Sequence, residues 1–202
     1  LYCPDVSTTR AQMAVFLLKG KYGAAYVPPA CTGLVFTDVP CSGGIFDPWI
    51  EDLADRGITT ESCVKFAIGC APDAWDAVLK RFGGSSEREH QLAEAGLVIE
   101  RAGRGESGYY DRFRDRIMFP IRDARGRVIA FGGRIIDAGE PKYLNSPETP
   151  LFHKGRELYG LYEARQALRK GERLMVVEGY VDVVRRAQSG TLYAVATLGT
   201  AT

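Results

Sequence analysis

The sequence predicts a mixed fold, an α+β region followed by an α/β unit. Two observations carry this prediction: a strand–helix–strand pattern near residue 180 and, before it, a β-hairpin preceded by capped helices. In the first pattern, residues 174–177 are four apolar residues, typical of a short buried strand in a parallel sheet. Residues 180–187 have the apolar periodicity of a helix, and residues 192–195 predict the next strand. Glu178 follows the first strand, at the edge where open α/β sheets bind ligands. A solvated loop residue, or an acid favoured by the helix dipole, explains Glu178 equally well.

Length and composition indicate a globular protein of one or two domains. The 202 residues are 46% hydrophobic and 25% charged. No apolar run approaches the length of a membrane span and no secretory leader is visible, so neither feature is predicted. Both ends fall within recognisable patterns and look cut. The formal net charge of +1 does not predict nucleic-acid binding by itself, so any basic site must be a local cluster.

The five cysteines divide unevenly along the chain. Cys70 stands apart, whereas four lie in or beside the first third: Cys3, Cys31, Cys41 and Cys63. No pair has C-x-x-C spacing and the sequence has two histidines, so no zinc site is predicted. Four cysteines in a short segment rich in proline and glycine are typical of a disulfide framework in an exported protein. Buried free thiols are the alternative.

The first third predicts two helices separated by proline-containing loops. Residues 8–18 begin with two threonines suited to an N-cap, and residues 46–54 have Asp47 as N-cap and Pro48 at the first helical position. The segments TTRAQMAVFLLKG and VFTDVP…DPWIEDLADRGIT resemble surface-layer homology repeats, which attach exported bacterial proteins to the cell envelope. The resemblance implies a small helical module at residues 1–57, and envelope attachment as the alternative function of the chain.

Residues 71–84 and 87–95 predict two helices ahead of the hairpin. The first has Asp73 as its predicted N-cap and ends at a double glycine. Its apolar side chains are most simply core residues: Trp75, Val78, Leu79 and Phe82.

The hairpin consists of strand-like runs at residues 116–122 and 127–131. Gly132-Gly133-Arg134 continues the second strand and would let another chain approach closely. A solvated, charged sheet face is the favoured interpretation for most of the arginines here: Arg112, Arg114, Arg116, Arg122, Arg125 and Arg127. Arg134 differs, because it follows the glycine pair and stands eight residues before Lys142.

Residues 142–149 have no repetitive period and predict a loop. A cation, an aromatic ring and an amide lie within four residues of one another: Lys142, Tyr143 and Asn145. That mix suits phosphate contact, base stacking and polar anchoring of a single strand or a nucleotide. An ordinary Asn-Ser-Pro turn is the alternative. Residues 158–167 then predict a helix.

Several of these segments together resemble the catalytic core of bacterial DnaG-type DNA primases. The motifs are PKYLNSPET, FHKGRELYG and VEGYVDV, the last of which, with AVATLGTA downstream, is similar to the start of a TOPRIM domain. The resemblance runs from about residue 58 to residue 202. It implies the N-terminal subdomain of the core at residues 58–170 and a truncated TOPRIM domain at residues 171–202. The change of family implies a join near residues 55–63 and weak coupling between the two parts.

The primase resemblance implies a cytoplasmic enzyme that joins ribonucleotides into RNA primers on a single-stranded DNA template, with the replicative helicase as a partner. The implied groove residues are Arg56, Arg134, Lys142, Tyr143 and Asn145. Glu178 is implied as the first catalytic acid of a magnesium or manganese site, and Asp182, one helical turn later, as its catalytic support. The family's zinc ribbon and later TOPRIM acids are missing from the sequence. We therefore expect an incomplete metal site and no primer synthesis by this chain.

Overall fold

The computed structural model describes residues 52–101, 108–135, 139–168 and 173–199. The predicted helix at residues 8–18 and most of that at residues 46–54 lie outside the described residues, as do Cys3, Cys31 and Cys41. The surface-layer-like segment is therefore described only at residues 52–57, of which residues 52–55 are helical.

Thr59 starts the first complete helix, α1 (Thr60–Phe66). Its hydroxyl accepts a hydrogen bond from the Ser62 N–H at 3.3 Å, as an N-cap side chain does. The strand β1 (Gly69–Ala71) follows the helix. Cys63 lies on the buried face of α1 as a free thiol, and burial raises its pKa to about 11. For Cys63, the structure therefore supports a buried thiol rather than a disulfide.

Two short helices, α2 (Ala77–Phe82) and α3 (Ser86–Glu94), pack beside the antiparallel pair β2 (Val98–Glu100) and β3 (Tyr109–Asp111). The helix predicted at residues 87–95 is confirmed as α3. Its hydroxyl cap is Ser85, which accepts a hydrogen bond from the Arg88 N–H.

The predicted start of α2 is wrong. The helix begins four residues after Asp73, and its N-terminal amide at Val78 donates instead to the Asp111 carboxylate at 2.7 Å. Burial raises the pKa of Asp111. Trp75 precedes the helix and is 57% exposed, so it is not the core residue that helical spacing predicted. The other three predicted core residues do pack against a core cluster: Val78, Leu79 and Phe82.

The predicted hairpin is confirmed as β4 (Arg116–Arg122) and β5 (Val128–Arg134). These strands form the centre of an antiparallel sheet in the order β1-β4-β5-β6, in which β6 is Tyr143–Asn145. The prediction of a loop throughout residues 142–149 is therefore wrong at β6. Three residues are too few to produce a detectable alternation, and pairing with the glycine-containing end of β5 makes them a strand.

A second sheet has the order β7-β9-β8, with β7 at Leu158–Tyr159, β8 at Met175–Val177 and β9 at Ala194–Thr197. The helix α4 (Leu161–Ala167) follows β7, so the helix predicted from residue 158 begins later because its first residues pair with β9. The helix α5 (Tyr180–Gln188) connects the parallel strands β8 and β9.

This arrangement confirms the strand–helix–strand pattern but corrects the burial of its first strand. Val176 in β8 is 64% exposed, because β8 is the edge strand of its sheet among the described residues. By contrast, the middle strand β9 is buried at Ala194, Val195 and Ala196.

One main core joins the two sheets. Phe119 of β4 and Val184 of α5 are fully buried in it, and Leu53 belongs to the same cluster. Leu53 lies before the join that the sequence predicted at residues 55–63, so this part of the chain packs with the sheets. In the described ranges, none of the helices has the length and apolar character needed to cross a membrane.

Candidate nucleic-acid interface

Arg134 occupies the last position of β5, opposite Tyr143 of β6. It is 3% exposed, and its Nη1 donates to Asp52 Oδ2 at 3.0 Å. The guanidinium carbon lies 5.9 Å from the centre of the Tyr143 ring, which is within cation–π range. Among the described residues, no acceptor is within hydrogen-bond distance of Arg134 Nε. A buried donor without a partner costs free energy, so this guanidinium is a candidate ligand-binding group.

Arg56 is joined to the same carboxylate. Its Nε donates to Asp52 Oδ2 at 2.7 Å and its Nη2 donates to Asp52 Oδ1 at 2.9 Å. The hydrogen bond with Asp52 raises the pKa of Arg56. The structure therefore brings together two of the predicted groove arginines through an acid that sequence reasoning did not select.

Two further arginines hold β6 and the segment before it in place. Arg112 donates from Nε and Nη2 to the Asn145 carbonyl at 3.3 and 3.2 Å, and Arg116 Nη1 donates to the Pro141 carbonyl at 2.9 Å. Burial lowers the pKa of both arginines. The interpretation as a solvated sheet face is wrong for these residues, because other elements cover this part of the sheet. It is also wrong for Arg122, which forms a partly buried ion pair with Glu163 at 2.7 Å.

Two of the predicted binding residues are exposed at the start of β6. Lys142 directly precedes it and is exposed, and the Tyr143 ring is 45% exposed. The Tyr143 ring meets the Tyr180 ring edge-on, with centroids 6.1 Å apart. Tyr143 therefore has a supported ring with an accessible surface, which is what base stacking needs.

Asn145 is fixed rather than free to contact a ligand. Its Oδ1 accepts a hydrogen bond from the Tyr180 hydroxyl at 2.6 Å, and its Nδ2 donates to the Leu198 carbonyl at 2.7 Å. The structure thus links β6 to the first turn of α5 and to the end of β9. Burial raises the pKa of Tyr180, which keeps the hydroxyl protonated as a donor.

Gly132 makes this link possible. A Cβ atom at that position would lie 2.5 Å from Tyr180 Cε2 and 2.8 Å from the Tyr180 hydroxyl oxygen. Only a residue without a side chain leaves room for the tyrosine ring against β5. The close approach predicted from the glycine pair is therefore confirmed, and α5 is the segment that approaches.

Glu178 and Asp182 lie near the end of β8, which is an edge strand of the second sheet among the described residues. Glu178 follows β8, and Asp182 is in the first turn of α5, with Oδ2 3.7 Å from the Cβ position of Gly179. Both side chains are exposed. In the described part of the chain, no three acidic, histidine or cysteine side chains are grouped closely enough to hold a metal ion. Glu178 and Asp182 are therefore two exposed carboxylates near the end of β8.

The structure adds an exposed aromatic surface that the sequence did not indicate. The Arg114 guanidinium carbon lies 3.9 Å from the centre of the Trp75 ring. The Tyr110 ring packs against the Trp75 ring, with the two ring centroids 5.6 Å apart. Arg114 also donates to the Asp111 carbonyl, which fixes its orientation. We name Trp75, Tyr110 and Arg114 the aromatic patch. Its signal in the sequence was weak, since the three residues are widely separated and Trp75 was assigned to the core.

Comparison with known proteins assigns the fold. A family model described as the DNA primase catalytic core, N-terminal domain, matches residues 47–165. The DNA primase of Pseudomonas aeruginosa is 58% identical over 153 residues, which are 76% of this chain and 23% of that protein. The DNA primase of Escherichia coli K12 is 59% identical over 150 residues, which are 74% of this chain and 25% of that protein.

Solved structures of DNA primases are similar to this chain as well. A DnaG primase catalytic domain bound to ssDNA matches with a TM-score of 0.71 and 54% identity, over 80% of this chain and 51% of that one. The E. coli primase catalytic core matches with a TM-score of 0.70 and 56% identity, over 77% of this chain and 49% of that one. The chain thus spans about a quarter of the curated relatives and about half of the solved cores. By sequence and by structure, the chain belongs to the family of the DNA primase catalytic core, N-terminal domain.

Proposed function

We propose that this chain is the template-binding part of a DNA primase, an enzyme that makes short RNA primers on single-stranded DNA during replication by metal-dependent nucleotidyl transfer. The observation that carries the proposal is the juxtaposition of Arg134, Tyr143 and Lys142 at the end of β5 and the start of β6. One structure with 54% identity is a DnaG primase catalytic domain bound to ssDNA, which supports this class of ligand.

In this proposal, the exposed and the buried residues have different tasks. Lys142 contacts a backbone phosphate as a mobile point charge, and Tyr143 stacks against a base. Arg134 and Arg56 supply guanidinium donors, which suit phosphate oxygens. Asn145 holds β6 in position and does not contact the ligand, because its side-chain amide is already hydrogen-bonded to Tyr180 and Leu198.

The aromatic patch is a second proposed contact for single-stranded DNA. Trp75 offers a ring surface, and the Arg114 guanidinium stacked on it offers a positive charge beside that ring. Base stacking on aromatic side chains is tolerant of sequence, as a template-binding surface requires. Trp75 and Arg114 are therefore proposed contacts with single-stranded DNA.

We propose that residues 171–202 are the beginning of a TOPRIM domain, in which Glu178 and Asp182 are the first acids of a magnesium or manganese site. Their two exposed carboxylates fit a hard cation that completes its shell with waters and phosphate oxygens. When bound, such an ion stabilises negative charge on the transferring phosphoryl group. Glu178 would hold the ion, and Asp182 would orient it or its water ligands.

The remaining expectations follow from the same proposal. Ribonucleotides would be the second substrate, a replicative helicase the partner, and the cytoplasm the location. Envelope attachment by the surface-layer-like segment stays a prediction, because the structure describes only residues 52–57 of that segment. None of the relatives reported above supports it.

The test is binding of a fluorescent thymidine oligonucleotide to the 202-residue chain at several salt concentrations, followed by anisotropy. Lys142→Ala should weaken binding and reduce the log–log salt slope by about 0.7, the value for one phosphate contact to a single strand. Lys65→Ala removes an equal charge from the exposed side of α1 and should leave the slope unchanged. Equal slopes for all three proteins would contradict the role of Lys142, and no binding at any salt concentration would contradict the proposed function.

A further inference from the structure

Asp52 makes an unusual set of contacts for a side chain beside a candidate phosphate site. Its Oδ2 accepts hydrogen bonds from Arg56 Nε at 2.7 Å and from Arg134 Nη1 at 3.0 Å, while its Oδ1 accepts from Arg56 Nη2 at 2.9 Å. One carboxylate therefore accepts three N–H donors from two guanidinium groups. A phosphate group, with its several oxygens, is bound by arginine pairs in the same way.

The carboxylate also contacts Arg134 where that side chain is buried. Arg134 is 3% exposed, and the Asp52 side chain lies between it and Arg56, which is more accessible. Arg134 Nε points to no acceptor among the described residues, although it is buried. The carboxylate accepts from Nη1 of Arg134 and leaves the Nε donor, on another edge of the guanidinium, unused. The two arginines therefore offer more hydrogen-bonding capacity than Asp52 occupies.

We propose that Arg56 and Arg134 form an oxyanion site, that Asp52 fills it as an internal substitute for phosphate, and that a backbone phosphate of the single strand displaces the carboxylate. The inference rests on the proposed function and adds a regulatory contact to it. Asp52 lowers the affinity of the interface, since the incoming phosphate must compete with a carboxylate that is held in place.

The charges of the three side chains favour competition between the Asp52 carboxylate and a phosphate. The cluster of Asp52, Arg56 and Arg134 carries two positive charges and one negative charge, so its net charge is +1 with Asp52 present and +2 without it. Asp55 is the other acid that raises the pKa of Arg56 through its charge. Tyr143 lies opposite Arg134 across the β5–β6 pair, and Lys142 precedes Tyr143 in the chain. Without the Asp52 carboxylate, a phosphate between Arg56 and Arg134 would meet the positive charges of both guanidinium groups.

If Asp52 instead orients the arginines, replacing it should change the affinity for the oligonucleotide in the opposite direction. If the carboxylate only held Arg56 and Arg134 in the correct geometry, removing it would weaken binding. If it competes, removing its charge strengthens binding. The substitution Asp52→Asn separates the two roles, because the amide keeps the size of the side chain but has one acceptor oxygen and no charge.

The experiment measures anisotropy with the same thymidine oligonucleotide and the full chain. Asp52→Asn should tighten binding on the order of tenfold at low salt, the value of about one charge-assisted hydrogen bond. The log–log salt slope should steepen by about 0.7 if one more phosphate is contacted. Asp55→Asn is the matched control: it removes the same charge one helical position before Arg56, and Asp55 makes no hydrogen bond to Arg134 in the structure. Its affinity should stay close to that of the unsubstituted chain.

A second measurement guards against misfolding. The melting temperature of each variant is recorded alone and with oligonucleotide. Asp52→Asn should gain a larger stabilisation on adding oligonucleotide than the unsubstituted chain, even if it melts earlier alone. The double variant Asp52→Asn with Arg56→Gln should lose the gain in affinity.

The outcomes separate this inference from the proposed function. Weaker or unchanged binding by Asp52→Asn, together with the expected loss in Lys142→Ala, overturns the competition and leaves the proposed function standing. An equal gain in Asp55→Asn also overturns it, because a general charge effect would then explain the result. Failure of every protein to bind the oligonucleotide overturns both.

Discussion

The two sides of the candidate site differ in how their charged groups are held. On the arginine side, Arg134 is 3% exposed and is fixed by Asp52 and the ring of Tyr143. On the acid side, Glu178 and Asp182 project into solvent beside the edge strand β8. Burial fixes the geometry of the arginine before any ligand arrives. The exposed acids have no such constraint from burial.

The physical origin of the difference is the position of each group in its sheet. Arg134 ends a central strand that has neighbours on both sides, and other elements cover it. Glu178 ends a strand that has one neighbour among the described residues. A buried charge is tolerated because it is paired, whereas an exposed charge is stabilised by water and needs no partner. Substitutions on the two sides should therefore have unequal effects on stability.

The largest loss of stability is expected on replacing Arg134. Arg134→Gln removes one partner of a buried ion pair and should lower the free energy of unfolding by about 3 kcal/mol. Urea denaturation measures the change. Arg125→Gln removes the same charge from the exposed hairpin turn and should be nearly neutral. Equal effects for the two arginines would remove the claim that the arginine side is fixed by burial.

The next effect tests the contact that joins the two sides. Gly132→Ala places a Cβ atom 2.5 Å from the Tyr180 ring, and overpacking of this kind should cost about 1–3 kcal/mol in unfolding free energy. Gly155→Ala is the control, since no atom lies within 4 Å of its Cβ position. Thermal unfolding compares the two variants. If Gly132→Ala did not change the stability, α5 could move away from β5 at no cost in free energy. The contact between Gly132 and Tyr180 would then not couple the two sides.

A third prediction asks whether the aromatic patch belongs to the arginine side. Trp75→Ala should weaken oligonucleotide binding by about 1–2 kcal/mol, the order of one stacked base, with a smaller effect on stability because the side chain is exposed. Val176→Ala also removes an exposed apolar side chain, on β8 beside the acids, and should leave binding unchanged. Similar losses of affinity in both variants would indicate that the oligonucleotide also contacts the acid side.

The smallest effect is expected at Glu178. Glu178→Gln should change the free energy of unfolding by less than about 0.5 kcal/mol in the absence of divalent cations, because the side chain is exposed. Urea titrations with and without magnesium provide the measurement. A loss above about 1 kcal/mol without metal would show that Glu178 is structurally engaged, and the contrast between the two sides would then be wrong.

Local sequence determined a large part of the fold. The hairpin of β4 and β5, the capped helix α3 and the parallel strand–helix–strand unit with α5 follow from runs long enough to show periodicity or caps. The close approach at Gly132 also followed from the sequence, because glycine inside a strand often marks a place where another segment packs against the backbone. By contrast, β6 and β7 have three and two residues, and pairing partners distant in the sequence make them strands.

Only the tertiary structure decided which charged and aromatic residues are buried, paired or exposed. The resemblance of the sequence to primases identified Arg134, Lys142 and Tyr143 as members of one group. The sequence did not reveal Asp52, which lies 82 positions from Arg134 along the chain. It placed Trp75 in the core, whereas the late start of α2 leaves that ring on the surface under Arg114. Local patterns report the preferences of neighbouring residues, but the pairing of a buried charge depends on segments that meet only after the chain has folded.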